Sequence, residues 1–162
     1  MTRVPLLDMI VEFATTGRLG PLSTGMPAAA AWAALGRPAE PAKDGNYRIN
    51  SLDFAVRDAA VYVLGLEHED DLTFSLPPEL GGHKPERRRI TYDEMMAALA
   101  AHNCETEPIL TVPDWSTVLR AGKVHLTFIW PAEAAEWEVE PPPEQPLLAN
   151  VGRSTDWQEN AP

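Results

Sequence analysis

Three groups of side chains in this sequence are candidates for chemistry. His102-Asn103-Cys104 sets an imidazole two residues from the chain's single thiol, the raw material of a cysteine nucleophile and its base. That chemistry needs a thiolate. Glu105 and Glu107 beside it oppose one, so the pair reads as a structural feature at a helix end. Glu67-His68-Glu69-Asp70-Asp71 gathers four carboxylates and an imidazole. Calcium or magnesium would use such oxygens. The run lacks the glycine and the spaced ligands of a calcium loop, and no metal or cofactor is expected. On a hairpin loop these carboxylates suit the Arg and Lys side chains of a protein partner. The third group is Glu133, Glu136, Glu138, Glu140 and Glu144, interleaved with Trp130, Trp137 and Pro141-Pro142-Pro143. Aromatic anchors inside a charged rim are common at interfaces. Trp130 suits the core, whereas Trp137, with its polar neighbours, suits an anchor. The partner-binding candidates are therefore Glu67, Glu69, Asp70 and Asp71 in one stretch, and Glu133, Glu136, Trp137, Glu138 and Glu140 in the other. No residue is assigned a catalytic role. The sequence holds no Gly-rich phosphate loop, no Gly-x-Ser-x-Gly and no zinc-type Cys/His spacing.

The charge balance narrows the partners. Lys plus Arg number 13 and Asp plus Glu 24, a formal charge of −11. Phosphate backbones and anionic membranes need clustered cations, so neither is expected as a partner. Arg87-Arg88-Arg89, beside Lys84, is one short basic run and reads as a solvated loop. A basic protein would be attracted and steered. One cysteine rules out an internal disulfide, which points to a reducing cytoplasm. The first residues carry Arg3, Asp8 and Glu12 around a short apolar stretch, unlike a signal peptide or a membrane span. At 162 residues the chain can bury roughly two-thirds of its unfolded surface in a core.

The elements that must position these groups follow from periodicity. Leu6, Met9, Ile10 and Phe13 predict a helix over Pro5–Thr16, ended by Gly17. Pro27 and an alanine run predict a second to Leu35, with Gly36 after it. Pro38–Asn46 reads as a turn-rich connector. Alternation then predicts strands at Leu52–Val56, at Val61–Gly65 after an Asp58-Ala59-Ala60 turn, and at Leu72–Leu76. Pro77–Arg89 reads as an exposed break. Thr91-Tyr92-Asp93-Glu94 is a capping box that opens a helix carrying Met95, Met96 and Leu99. Further strands are expected at Ile109–Val112, Trp115–Leu119, Val124–Trp130 and Leu147–Val151. Pro131–Pro146 is expected to be a protruding loop or irregular edge strand, and the tail from Arg153 to be frayed, with Trp157 as its one anchor. The expected fold is α+β: two helix-plus-antiparallel-sheet halves, 1–80 and 90–152, with helices on one face of the sheet and a tail at 153–162.

Leu22-Ser23-Thr24-Gly25-Met26-Pro27 through Leu35-Gly36-Arg37-Pro38 gives a Gly-Met, a short helix, a Leu-Gly-x-Pro and then strands. This resembles the helix–loop–helix and β-sheet unit of the β-lactamase-inhibitor-protein-like and outer-membrane assembly lipoprotein families. Thr91–Met96 and His102–Thr106 are similar to the same unit in the second half. Leu19-Gly20-Pro21-Leu22 and Gly25-Met26 also resemble the entry of small cytoplasmic immunity proteins of actinobacteria. That resemblance implies a protein that binds and neutralises one toxin. The expectation is a cytoplasmic immunity-type inhibitor occluding a basic surface; the alternative is a structural or assembly subunit of a secretion or phage-like complex.

Overall fold

The computed structural model describes residues 5–37, 43–80 and 87–157. Helix α1 (Leu6–Thr16) buries Met9, Ile10 and Phe13, the stripe set by their spacing. Gly17, at φ 79°, ends it by donating its amide to Phe13 O at 2.8 Å. A short ribbon of β1 (Arg18–Leu19) and β2 (Leu22–Ser23) leads to α2 (Ala28–Ala34), which starts after Pro27 and stops before Gly36, at φ 65°. Part of the expected connector, residues 38–42, lies outside the described residues.

Strands β3 (Gly45–Ile49), β4 (Leu52–Arg57) and β5 (Ala60–Glu67) form an antiparallel meander. Asp58 and Ala59, both at positive φ, make the tight turn between β4 and β5. β3 takes in Gly45 and Asn46, which were expected in the connector. It is a largely exposed edge strand, so no apolar alternation marked it. Trp32 of α2 holds it in place through Tyr47 and Phe54, with ring centroids 5.0 and 5.2 Å away.

The strand expected at Leu72–Leu76 does not form. Asp70–Leu72 is a 3-10 turn, and Phe74 makes an isolated bridge to Arg88. Leu72 and Phe74 are nonetheless buried. Their alternation recorded burial without a ladder. The expected exposed break is partly buried as well: Leu80 lies in the core, while residues 81–86 lie outside the described residues.

Helix α3 (Tyr92–Ala101) opens on the predicted capping box. Glu94 N donates to Thr91 Oγ1 at 3.3 Å, and Thr91 N donates to Glu94 Oε1 at 2.8 Å. Strands β6 (Thr106–Val112), β7 (Ser116–Ala121) and β8 (Val124–Ile129) make the second meander. The first six residues of the expected loop form α4 (Pro131–Glu136), and residues 137–146 are irregular, as a loop reading expects. Proline in its first turn and three alanines favour that helix. Strand β9 (Leu147–Ser154) completes the chain's secondary structure among the described residues.

One antiparallel sheet runs in the order β3-β4-β5-β9-β8-β7-β6. β9 joins the meanders, with Val151 opposite Leu66 on one side and Leu126 on the other. Gly65 permits this closeness, because a Cβ there would lie 2.2 Å from Val151 O. The fold is thus α+β, with helices α1, α2 and α3 sharing one core with Phe54, Leu66, Leu126 and Phe128. Neighbouring residues Ile129, Leu147 and Ala149 point to the other face and pack with Ala134 of α4, Leu72 and Val139. The tail is less frayed than expected. β9 reaches Ser154, and the Trp157 ring stacks on His125 at 3.8 Å; residues 158–162 lie outside the described residues. Among the described residues, no helix is long and apolar enough to cross a membrane.

Candidate functional site

The two acidic stretches meet at the α4 side of the sheet. The first leaves β5 at Glu67 and turns through Asp70–Leu72; the second leaves α4 at Glu136 and passes Trp137. Glu140 N donates to Asp71 Oδ1 at 3.0 Å, and the His68 and Trp137 rings stack at 5.7 Å and 20°. Between the stretches lies an open cleft of about 650 Å³. Leu72, Val139, His68 and Trp137 line it with apolar and ring surface, Glu69, Asp70 and Asp71 bring three carboxylates, and Arg48 and Asn50 complete the wall, so that carboxylates outnumber the one cation.

The acidic turn is held in an unusual backbone conformation. Asp71 and Leu72 both have positive φ, 57° and 58°. Aspartate tolerates this region; a leucine there is strained and persists only because its surroundings impose it. Leu72 is buried in the small core against Ile129 and Val139, and Glu69 N donates to Thr73 O at 2.7 Å across the turn. Arg89 fastens the two stretches together. Its Nε donates to Asp71 O at 3.0 Å and its Nη1 to Pro141 O at 2.6 Å. Arg48 of β3 braces the other side, donating to Asn50 O at 3.1 Å, Glu67 O at 3.3 Å and His68 O.

The carboxylates divide by role. Glu67 accepts from Asn150 Nδ2 at 2.6 Å, and Glu133 accepts from Trp137 Nε1 at 2.8 Å. Glu69 accepts from the hydroxyls of Ser51 and Ser75 and lies 3.8 Å from the Arg87 guanidinium. These three build the site. Asp70, Glu136, Glu138 and Glu140 are exposed, and their carboxylates accept no hydrogen bond among the described residues. Asp71 does both, holding Glu140 N while remaining exposed. Of the nine predicted residues, Glu69, Asp70, Asp71 and Trp137 line the cleft; Glu140 adjoins it through its amide and Glu133 through Trp137, while Glu67, Glu136 and Glu138 do not line it.

His68 Nδ1 lies 3.2 Å from Ala149 O and 3.1 Å from a Glu67 carboxylate oxygen. Two acceptors at one nitrogen place the proton on Nδ1. Burial is the main cause that lowers the His68 pKa; Glu67 opposes it and Arg48 reinforces it. The ring is therefore neutral near pH 7, a flat partner for the indole.

Sequence reasoning did not single out Arg48, and it read Arg87–Arg89 as a solvated loop. The run is instead tied to the protein's own acceptors, with Arg88 paired to Glu94 at 2.6 Å. A cation run inside a strongly acidic chain is the signal that could have suggested this. The His102–Cys104 pair gains no geometry for nucleophilic chemistry. His102 Nδ1 faces Ala98 O at 3.0 Å, Cys104 Sγ faces Glu105 O at 4.0 Å, and burial raises the thiol pKa. Among the described residues, no group of three or more His, Cys, Asp or Glu side chains is placed to hold a metal ion.

Comparison with known proteins adds no family: no family profile, curated protein or solved structure matches the chain.

Proposed function

We propose that this chain is a cytoplasmic immunity-type protein that neutralises a cognate toxin domain by covering a basic surface of it with the acidic cleft. The observation that carries the proposal is the meeting of two stretches, more than sixty residues apart in sequence, at one cleft: the first lines it with Glu69, Asp70 and Asp71, the second with Val139 and the exposed Trp137. Grouped like charges beside an apolar wall concentrate the field, which attracts a basic partner and speeds encounter. Trp137, 43 % exposed and backed by His68, offers a rigid aromatic face to an arginine or an apolar side chain. The clamp by Arg48 and Arg89 fixes the backbone that carries the carboxylates before binding, which lowers the ordering cost of association. Occlusion needs no bond-making step in this chain.

A growth-rescue assay tests the proposal. The chain is co-expressed with a toxin domain encoded beside it, and growth is expected to recover. Rescue should fail with the paired change Trp137→Ala and Asp70→Asn. The complex should also weaken between about 50 mM and about 500 mM salt, mainly through slower association. Rescue that survives the paired change, or an affinity indifferent to salt, would overturn the proposal.

A further inference from the structure

We infer a second interaction surface at the free edge of β6: a docking strip for an extended segment of a partner protein that alternates apolar and basic residues. This surface lies at the opposite end of the sheet from β3, whose Arg48 braces the acidic cleft.

Among the described residues nothing pairs with the outer edge of β6, and its middle is apolar. β6 pairs with β7 on one side and is the last strand of the sheet. Its middle residues are exposed, with Ile109 at 48 % and Leu110 at 56 %. Trp115, in the turn to β7, is 52 % exposed. Three of the four exposed large hydrophobic residues among those described therefore lie on this one hairpin. Protein edges are usually blocked by lysines, prolines or bulges. Here Pro108 and a register shift between Pro108 and Leu110 interrupt only the first part. Beyond them Leu110, Thr111 and Val112 run in regular register against Val118, Thr117 and Ser116.

Charge selects the occupant. From Cys104 to Ser116 the sequence has three carboxylates, on Glu105, Glu107 and Asp114, and no basic residue. The one cation in register with β6 is Arg120 of the neighbouring strand β7, opposite Glu107. A second copy would bring the same acidic edge and another formal charge of −11. A strand bearing Lys or Arg meets opposite charge instead. Its backbone would supply the ladder, and its apolar side chains would cover Leu110 and Val112, which share a face.

The test uses the full chain, 15N-labelled, and a seven-residue peptide of alternating valine and lysine with blocked ends. The control is the same peptide N-methylated at alternate residues. Amide signals of residues 106–112, apart from Pro108, should move and their hydrogen exchange should slow. The N-methylated peptide should bind about tenfold more weakly, the effect of losing about two backbone hydrogen bonds. Leu110→Lys should also weaken binding, whereas Asp70→Asn, in the acidic cleft, should leave the binding curve read from the β6 amides unchanged. If Leu110→Lys unfolds the chain, Glu107→Gln serves in its place, and weaker binding is again expected. The inference is overturned by equal binding of the N-methylated peptide, by absence of binding at millimolar peptide, or by signal changes confined to the acidic cleft. It is also overturned if the free chain is a dimer with β6 amides already protected.

Discussion

Strands β3 and β6 are counterparts: each is the outer strand of a three-stranded meander and an edge of the common sheet. They differ in what lies over them. β3 is fastened by the Trp32–Tyr47–Phe54 rings and by Arg48, which reaches across to the carbonyls of Glu67 and His68. β6 has no comparable aromatic clamp among the described residues and leaves Ile109 and Leu110 exposed. One edge is thus part of a scaffold for the acidic cleft, while the other, among the described residues, keeps an unpaired backbone edge and exposed apolar side chains. The same topology can serve positioning at one end and contact at the other, according to which side chains cover the edge.

Truncation at the two edges should separate them most clearly. Tyr47→Ala removes a half-buried ring from a three-ring cluster and is expected to cost about 2–3 kcal/mol. Leu110→Ala, at an exposed site, should change stability by about 0.5 kcal/mol or less. Urea unfolding of both variants measures this, and equal losses would erase the distinction. At the cleft, Trp137→Ala should weaken the partner complex by about 2 kcal/mol, roughly thirtyfold. Its stability should fall by less than about 1 kcal/mol, because the ring is exposed. A titration of partner beside a melting curve gives both numbers.

How far the sequence anticipated this contrast depends on the element. The capping box at Thr91 and the stripe of α1 were legible because each is a local pattern with one physical outcome. Thr91→Ala should accordingly cost about 1 kcal/mol, read from a denaturant midpoint. β3 was not legible, because an edge strand held by one tyrosine has no alternating pattern to display. The strand expected at Leu72–Leu76 misled for a related reason: burial from two directions can alternate where no ladder exists. α4 was hidden by the prolines and glutamates around it, though Pro131 and its alanines favour a helix. For the cleft, the acidic residues and Trp137 were legible as types. Their convergence was not, since it depends on Asp71 receiving Glu140 N and on Arg89 tying both stretches.

A smaller effect concerns pH. His68 and His125 both have pKa values lowered from 6.5, chiefly by burial. These two side chains therefore bind more protons in the unfolded chain than in the folded one just below that value, so their contribution to stability should fall as pH drops below about 6.5 and level off below the folded pKa values; Asp53, its pKa raised by burial, acts in the opposite sense at lower pH. Melting temperatures from pH 8 to pH 5, with His68→Gln and His125→Gln each flattening the slope, would check this. Histidine variants whose slopes match the native one would contradict it.

The central claim is that two distant acidic stretches act as one surface. Titrating the 15N-labelled chain with an acetylated, amidated tri-arginine peptide tests it most directly. Signals from residues 67–72, from residues 133–140 and from the Trp137 indole should move together on one binding curve, which weakens as salt is raised. Separate curves for the two stretches, or movement of one without the other, would contradict it.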